Sequence, residues 1–532
     1  MKKIKDFKVL LVYPNFPMES VLLPAGVSII SAVLKKEGFQ FKLFDTTLYK
    51  PKGQSQDEYR KKLHQLKTSS AQMEGQVNTK TSDPHEDFVD LLNSYKPDVI
   101  GLSVLSDTFE IGLEYAKIAN SKNIPVFVGG IYPTFAPEKV ISNKYVNFIC
   151  MGEGEYAVLN FCKALANGDS IDNIKNFWIK KKDGTIIKNG LGPLVNMNEL
   201  PYPDYTIFES ERFYRPMQGK VLKILPIELH RGCPYTCAFC EDPSQNLLYK
   251  SQGIAKTYHR SKSPKRIIDE LHYLIDKYGA NYIYFNAETF FAMPNKDFVT
   301  LADMYSKEIK LPFWIQTRPE TITEERIDLL KKMNVSNINV GIEHGNEKYR
   351  REMLKRSMSN KLIIDALKIL DNANLSVTVN NIMGFPDETR DLIFDTINLN
   401  RSIKSATINA YLYNPYPGTA LYEVCKEKGY LPKEGDEKTI DTHLSTEAFP
   451  YFKTILNLPT ISKLELCGLQ KTFVLYSKLP RYEFDRIKIA EQHTDEGNKM
   501  FDMLSKEYKD VIQGKVQLAY EIKEYLGAAG TI

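Results

Sequence analysis

The chain has 532 residues, 43% hydrophobic and 26% charged, which excludes a fibre or a disordered tail and fits three or four globular domains. Lys and Arg (70) against Asp and Glu (66) leave a net charge of +4, too small a bias to point by itself to nucleic acid or an anionic membrane. The first apolar run, Val9–Tyr13, is cut by Pro14, so we expect no secretory leader, no membrane span and a cytoplasmic protein.

Short apolar runs closed by turn-forming residues predict strands over Lys8–Tyr13, Phe39–Phe44, Asp98–Val104, Val126–Val128 and Phe148–Met151. Helical spacing runs between them over Ala25–Lys36, Glu86–Tyr95 and Phe109–Asn120. Buried strands alternating with helices imply an α/β fold, a doubly wound parallel sheet over residues 1–165. Ligands of such sheets sit outside the strand carboxyl ends. The loops there are Asn15–Met18, Ser103–Thr108, Gly129–Thr134 and Gly152–Glu155. Their glycines let a backbone approach a large flat ligand, or simply make tight turns. No G-x-G-x-x-G follows the first strand, so the dinucleotide fingerprint is absent. Residues 48–84 are polar and read as an insertion or a mobile excursion.

Residues 166–215 change texture. Phe177–Lys181 and Thr185–Lys188 flank Asp183-Gly184 as a hairpin, and Leu200–Asp204 is stiffened by Pro201 and Pro203 into a connector at the main boundary.

Next, Pro226–His230 runs as a strand into Arg231-Gly232-Cys233-Pro234-Tyr235-Thr236-Cys237-Ala238-Phe239-Cys240. The chain has seven cysteines, an odd and sparse set that argues for a reducing compartment and against a disulfide framework. Three of them lie here as C-x3-C-x2-C, and the next is Cys425. A zinc site normally closes with four protein ligands. Three thiolates instead suit a four-iron cubane with one iron left open, although His230 and His259 could complete a zinc site. Downstream, Ser263 caps a helix begun by Pro264, and strands follow over Tyr282–Phe285, Phe313–Gln316, Asn337–Ile342, Val377–Met383 and Thr407–Leu412. With their helices they make about six β/α units over residues 216–430, a partial parallel barrel with polar residues at its strand ends. Tyr411, Tyr413 and Tyr416 at the last strand read as rim packing more readily than as substrate contacts. Residues 431–532 read as helical, with an apolar Ile461–Tyr476 and a long charged Phe484–Ile522.

The cysteine spacing, with aromatic Phe239 before the third cysteine, resembles the radical S-adenosylmethionine (SAM) superfamily. The order of units over residues 8–430 resembles its cobalamin-dependent members. The resemblance implies a [4Fe–4S] cluster on Cys233, Cys237 and Cys240 whose open iron chelates SAM. It implies SAM contacts from Phe239, Glu288, Gln316, Arg318, Glu343 and Gly384. Cobalamin, carried as methylcobalamin, would contact Asn15, Ser103, Val104, Ser106, Gly129, Gly130, Tyr132, Gly152, Glu153, Gly154 and Glu155. Two departures stand out. Asn286-Ala287-Glu288 lacks the two glycines of the family's Gly-Gly-Glu-like turn. No D-x-H-x-x-G follows the first strand, where Asn15-Phe16-Pro17-Met18-Glu19-Ser20 stands, and Asp441-Thr442-His443 is far away, so no protein imidazole is expected on cobalt. Glu388 is expected as a solvated helix-start charge, and Arg318 as a partner of the SAM carboxylate, Glu320 or Glu343.

The resemblance implies a methyltransferase acting on an unactivated carbon of a small molecule or natural product, supplied with electrons by a flavodoxin or ferredoxin. The alternative is a cobalamin-binding cyclase, ring-contracting enzyme or other radical oxidoreductase without methyl transfer. A nucleic-acid substrate is not expected, because only Cys150 and Cys162 precede the barrel, too few for a second cluster.

Overall fold

The computed structural model describes residues 2–17, 23–50, 56–65, 78–217, 220–403, 407–433 and 454–512. Met18, Asp441–His443 and residues 513–522 of the expected last helix lie outside them.

The first sheet contains β1 (Lys8–Tyr13), β2 (Gln40–Asp45), β3 (Val99–Ser103), β4 (Val126–Gly129), β5 (Phe148–Cys150), β6 (Phe177–Lys180) and β7 (Ile186–Lys188), in the order β2-β1-β3-β4-β5-β6-β7. β1 to β5 pair in parallel; β6 and β7 are antiparallel. One face packs Val9, Leu11 and Phe127 under the helices Ala25–Lys36 and Glu155–Asn167. The other packs Leu10, Val12, Ile100 and Val128 under Pro84–Tyr95 and Phe109–Ser121. Asp83 caps the first of these by accepting the His85 amide at 2.7 Å, with Pro84 in its first turn. The hairpin expected in the connector belongs to this sheet instead. Three-residue β5 would otherwise expose an unpaired edge, and β6 covers it through Cys150↔Phe177 and its neighbours.

The second sheet contains β8 (Tyr214–Met217) and β9 (Lys220–Glu228); a small ribbon of β10 (His230–Arg231) and β11 (Arg260–Ser261) follows, and then β12 (Tyr282–Asn286), β13 (Phe313–Thr317), β14 (Val335–Glu343), β15 (Ser376–Met383) and β16 (Thr407–Leu412) continue the sheet. Its order is β16-β15-β14-β13-β12-β9-β8. The six strands β9 and β12 to β16 are parallel, and β8 runs antiparallel at the edge. This curled half-barrel buries Leu225, Ile283, Ile315, Ile338 and Val379 against outer helices such as Pro264–Tyr278. The same apolar core continues into the first sheet, so the two units are packed, not merely tethered.

Two expectations for the periphery change. Residues 56–65 are no excursion: the helix Gln56–Lys62 lies against the open barrel edge, Leu63 packs with Ile408 and Ala410, and the Gln65 side chain accepts the Ala410 amide at 3.4 Å. An exposed edge strand is a pairing hazard, and this segment covers it. The long C-terminal helix is broken into Phe484–Ala490 and Asp495–Ile512, because Thr494 accepts the Gly497 amide at 3.1 Å and starts a new helix. With Lys463–Lys478 these helices form a C-terminal helical region against β16. Among the described residues no helix is long and apolar enough to cross a membrane.

Candidate active site between the two sheets

The carboxyl ends of both sheets face a common cavity of about 310 Å³. From the first sheet come Leu102 and Ser103 of β3, Gly129 and Gly130, and Cys150 to Glu155; from the barrel come Glu228, His230 to Gly232, Asp242, Asn286 and Glu288. β1 lies between β2 and β3, so the first sheet changes direction beside this cavity, where doubly wound sheets bind ligands.

The glycines divide by what surrounds them. A Cβ at Gly130, which has a φ of 112°, would strike the Val104 carbonyl; one at Gly152 would strike the Tyr249 hydroxyl. Those two glycines serve packing. Gly129 and Gly154 meet nothing closer than 3.4 Å, so they leave bare backbone facing the cavity, as a flat macrocycle requires. Of the expected corrin contacts, Ser103, Gly129, Gly130, Gly152, Glu153, Gly154 and Glu155 line the cavity. Asn15, Val104, Ser106 and Tyr132 do not: Asn15 is buried under Thr46 and Thr47, Val104 packs on Gly130, Ser106 bonds Asp107, and Tyr132 packs on Phe109.

Glu153 and Glu155 hold the domains together rather than standing free. Arg231, immediately before the cysteine loop, reaches Glu228 at 2.9 Å, Glu153 at 2.8 Å and Glu155 at 2.6 Å. Arg260 also pairs with Glu153, and the Val195 amide donates to Glu153 at 2.8 Å. Burial would raise the Glu228 carboxyl, but Arg231 and then Lys262 hold it below the ordinary value. Arg231 carried no sequence signal beyond its place beside the cysteines.

The cysteine loop buries Cys233 and Cys237, with Cys240 half-buried. Arg318 Nη1 donates to Cys237 Sγ at 2.9 Å, Arg356 Nη1 approaches it at 3.6 Å, and Thr289 lies 3.9 Å from Cys233 Sγ. Burial pushes the Cys233 thiol up to about 11 and Cys240 well above its ordinary value. Iron would displace those protons, and two guanidiniums at one sulfur suit a thiolate. Among the described residues no three His, Cys, Asp or Glu side chains gather tightly enough for a single metal ion. Three thiolates on one short loop suit a cubane, which takes them on three separate irons. Cys425 is buried in an apolar cluster with Leu421, Phe385 and Ala238, and His230 and His259 pack on each other at 5.3 Å.

Glu288 opens into the cavity and its side chain is exposed there, with protein crowded around it. That crowding, then the charges of Asp242, Glu241 and Glu228, pushes its carboxyl up to about 8. Such a wall favours a cation such as the SAM ammonium. Gln316 donates to the Ala287 carbonyl at 2.9 Å and shapes the turn that carries Glu288. Arg318 pairs with Glu320 at 2.5 Å and stacks 3.8 Å from the Tyr235 ring. Glu343 holds a left-handed φ of 63° at a bulge where β14 shifts register against β15, and Arg356 lies 3.8 Å from it. A bulge and strain of this kind re-aim a side chain at a site. Gly384, at φ 84°, sits against Leu466. Phe239 lies apart from this cavity, 5.8 Å from Phe385, and lines a second one.

Glu388 is not the solvated charge expected. It is fully buried, accepts the Phe385 amide at 3.0 Å as well as the Gly384 amide, and faces His344 Nε2 at 3.0 Å. His344 Nδ1 accepts the Asn346 amide at 3.0 Å, which fixes the ring beside Glu388. The turn after β15 is therefore braced from inside. No periodicity could reveal this, because only folding brings His344 to Glu388.

A family model described as the radical SAM superfamily matches residues 227–399, and one described as a B12 binding domain matches residues 17–161. The chain thus joins a B12 binding domain to a radical SAM domain, which supports a cobalamin-dependent radical SAM family. It is an enzyme whose cofactors are a [4Fe–4S] cluster, SAM and cobalamin. It is 26% identical over 342 residues to an uncharacterised methyltransferase of Pyrococcus horikoshii, covering 63% of this chain and 71% of the relative. It is 24% identical over 364 residues to the anaerobic magnesium-protoporphyrin IX monomethyl ester cyclase of Rubrivivax gelatinosus, covering 66% of this chain but only 63% of the cyclase. Its fold is similar to the radical SAM methyltransferase TsrM of Kitasatospora setae solved with cobalamin and a [4Fe–4S] cluster, at a TM-score of 0.57 and 17% identity over 80% of this chain and 75% of that one.

Proposed function

We propose that the enzyme transfers a methyl group to an unactivated carbon of a small molecule. The observation that carries this is the shared cavity: bare glycine backbone from one sheet, and from the other Glu288 with His230 to Gly232, the residues that lead directly into the cysteine loop, face the same space. When bound, the cluster and SAM supply a hydrogen-abstracting radical, and cobalamin supplies the methyl group. The chain's own part is positional. Cys233, Cys237 and Cys240 would hold the cluster, Glu288 would orient the SAM ammonium, and the Gly129 and Gly154 loops would seat the corrin. The Arg231 network keeps the two walls in register, and the enclosing helices exclude water. A cytoplasmic setting and a flavodoxin- or ferredoxin-type electron donor belong to the same proposal.

The likeness to a cyclase makes radical chemistry without methyl transfer the competing reading. The anaerobic, reduced enzyme is to be given SAM deuterated in its methyl group together with a metabolite extract. Deuterated methyl in a product, with deoxyadenosine, supports methyl transfer. Deoxyadenosine with a product lacking the label favours the competing reading, and absence of deoxyadenosine overturns both.

A further inference from the structure

Barrel interiors are ordinarily filled with branched apolar side chains. This one is lined with amides. The pairings Gln316↔Asn339, Asn339↔Thr378 and Asn380↔Asn409 set one row of side chains on one face of the sheet. The alternate residues, such as Ile338, Val340 and Val379, face the helix-covered core, so the amide row faces the lumen. Asn337 Nδ2 donates to Asn339 Oδ1 at 3.0 Å, and Asn409 Nδ2 donates to Asn380 Oδ1 at 3.0 Å. These bonds consume acceptors and leave the amino groups of Asn339 and Asn380 without an acceptor among the described residues. The Trp314 indole N–H, on the same face, also lacks a partner there.

The helix Gln56–Lys62 of the N-terminal half completes the lumen. Its Arg60 reaches Asn409, at the end of the amide row, at 3.4 Å, keeps its Nε unpaired, and lines a cavity of about 350 Å³ with Phe239, Tyr411 and Tyr416 that adjoins the row through Asn409 without including Asn339 or Asn380. Asp57 lies 3.8 Å from Arg60 and also faces Arg215. Arg212 is already paired with Asp45 at 2.9 Å. Arg60 and Arg215 thus both stand beside Asp57, next to a row of free donors.

We propose that this lumen is the substrate site and that it takes a small, oxygen-rich molecule bearing one anionic group, of the sugar-phosphate class. Arg60 holds the anion, and the Asn339 and Asn380 amides hold hydroxyl or carbonyl oxygens. This rests on the enzyme reading above. A sterol-like hydrocarbon would bury the same amides unpaired and is disfavoured on that ground.

The test is calorimetric titration of the reconstituted holoenzyme, loaded with SAM, with ribose 5-phosphate and with ribose. Saturable binding of ribose 5-phosphate, at least about tenfold tighter than ribose, is expected from a charge-assisted contact. Arg60→Leu and, separately, Asn339→Asp should each weaken it by about tenfold or more. Asn339→Asp keeps an acceptor for Asn337 and replaces the free donor by a carboxylate oxygen that repels an anion, so weaker binding of ribose 5-phosphate but not of ribose reports the charge, weaker binding of both reports the lost donor, and the variant remains informative if Arg60→Leu fails to fold. No saturable binding of ribose 5-phosphate, or unchanged affinity in the folded variants, overturns the proposal. Deoxyadenosine formation measured on the same samples separates the two failures: if it persists without ribose 5-phosphate binding, only the substrate class falls.

Discussion

Replacing Arg231 by Met tests whether the two halves are clamped electrostatically. The guanidinium serves three carboxylates, Glu153, Glu155 and Glu228, at 2.6–2.9 Å, with its side chain 10% exposed and those of Glu153 and Glu155 4% exposed. Without it, only Arg260 and the more distant Lys262 face three buried acids. Removing one partner of a buried ion pair costs roughly 3–5 kcal/mol, because the other charge is left uncompensated. For a cooperative unit of about 150–250 residues, at about 2–4 °C per kcal/mol, Tm should fall by about 6–20 °C. Scanning calorimetry of the reconstituted protein at neutral pH reads this. The acid limb supplies a second reading. Glu228 is held below its ordinary value of 4.5, so its contribution is full above that value and is lost as pH falls through the folded value. The wild type should therefore lose stability on acidification below that range, and Arg231→Met should show a flatter acid limb. Adding Glu153→Gln should restore part of the loss, since it removes one orphaned charge. A fall in Tm of under about 3 °C, with the acid limb unchanged, would refute the clamp.

Three further outcomes are expected. Cys233, Cys237 and Cys240 changed together to Ala should abolish cluster iron and deoxyadenosine formation, whereas single changes at Cys150, Cys162, Cys425 or Cys467, all buried among apolar neighbours, should leave iron content intact; iron analysis and anaerobic product assay decide it. Glu288→Ala should weaken SAM binding by about 10- to 150-fold, the equivalent of one charge-assisted hydrogen bond, with cluster content retained, and equilibrium dialysis with labelled SAM showing no change would return Glu288 to a spectator. The bound cob(II)alamin form should show no superhyperfine splitting from a protein nitrogen in its electron paramagnetic resonance spectrum, because Asn15, Phe16 and Pro17 after β1 offer no imidazole; splitting that disappears in His230→Ala would identify the cavity-lining His230 as the ligand instead.

The elements of both sheets were legible in the chain, because a buried parallel strand must be an apolar run and a covering helix must show its stripe. Ala25–Lys36 and Lys8–Tyr13 fall where those patterns place them, and the cysteine spacing marks the cluster loop, since its chemistry needs three thiolates on one short segment. What folding alone decided involves partners far apart in sequence. Polar residues 48–84 lack an apolar stripe, so nothing local says that Gln56–Lys62 closes a barrel edge some 350 positions later; the exposed edge of β16 creates that demand. Glu388 looks like an ordinary helix-start acid until His344 and two backbone amides surround it. Asn339, Asn380 and Asn409 read singly as weak strand formers, and their meaning depends on register, which only the paired sheet supplies.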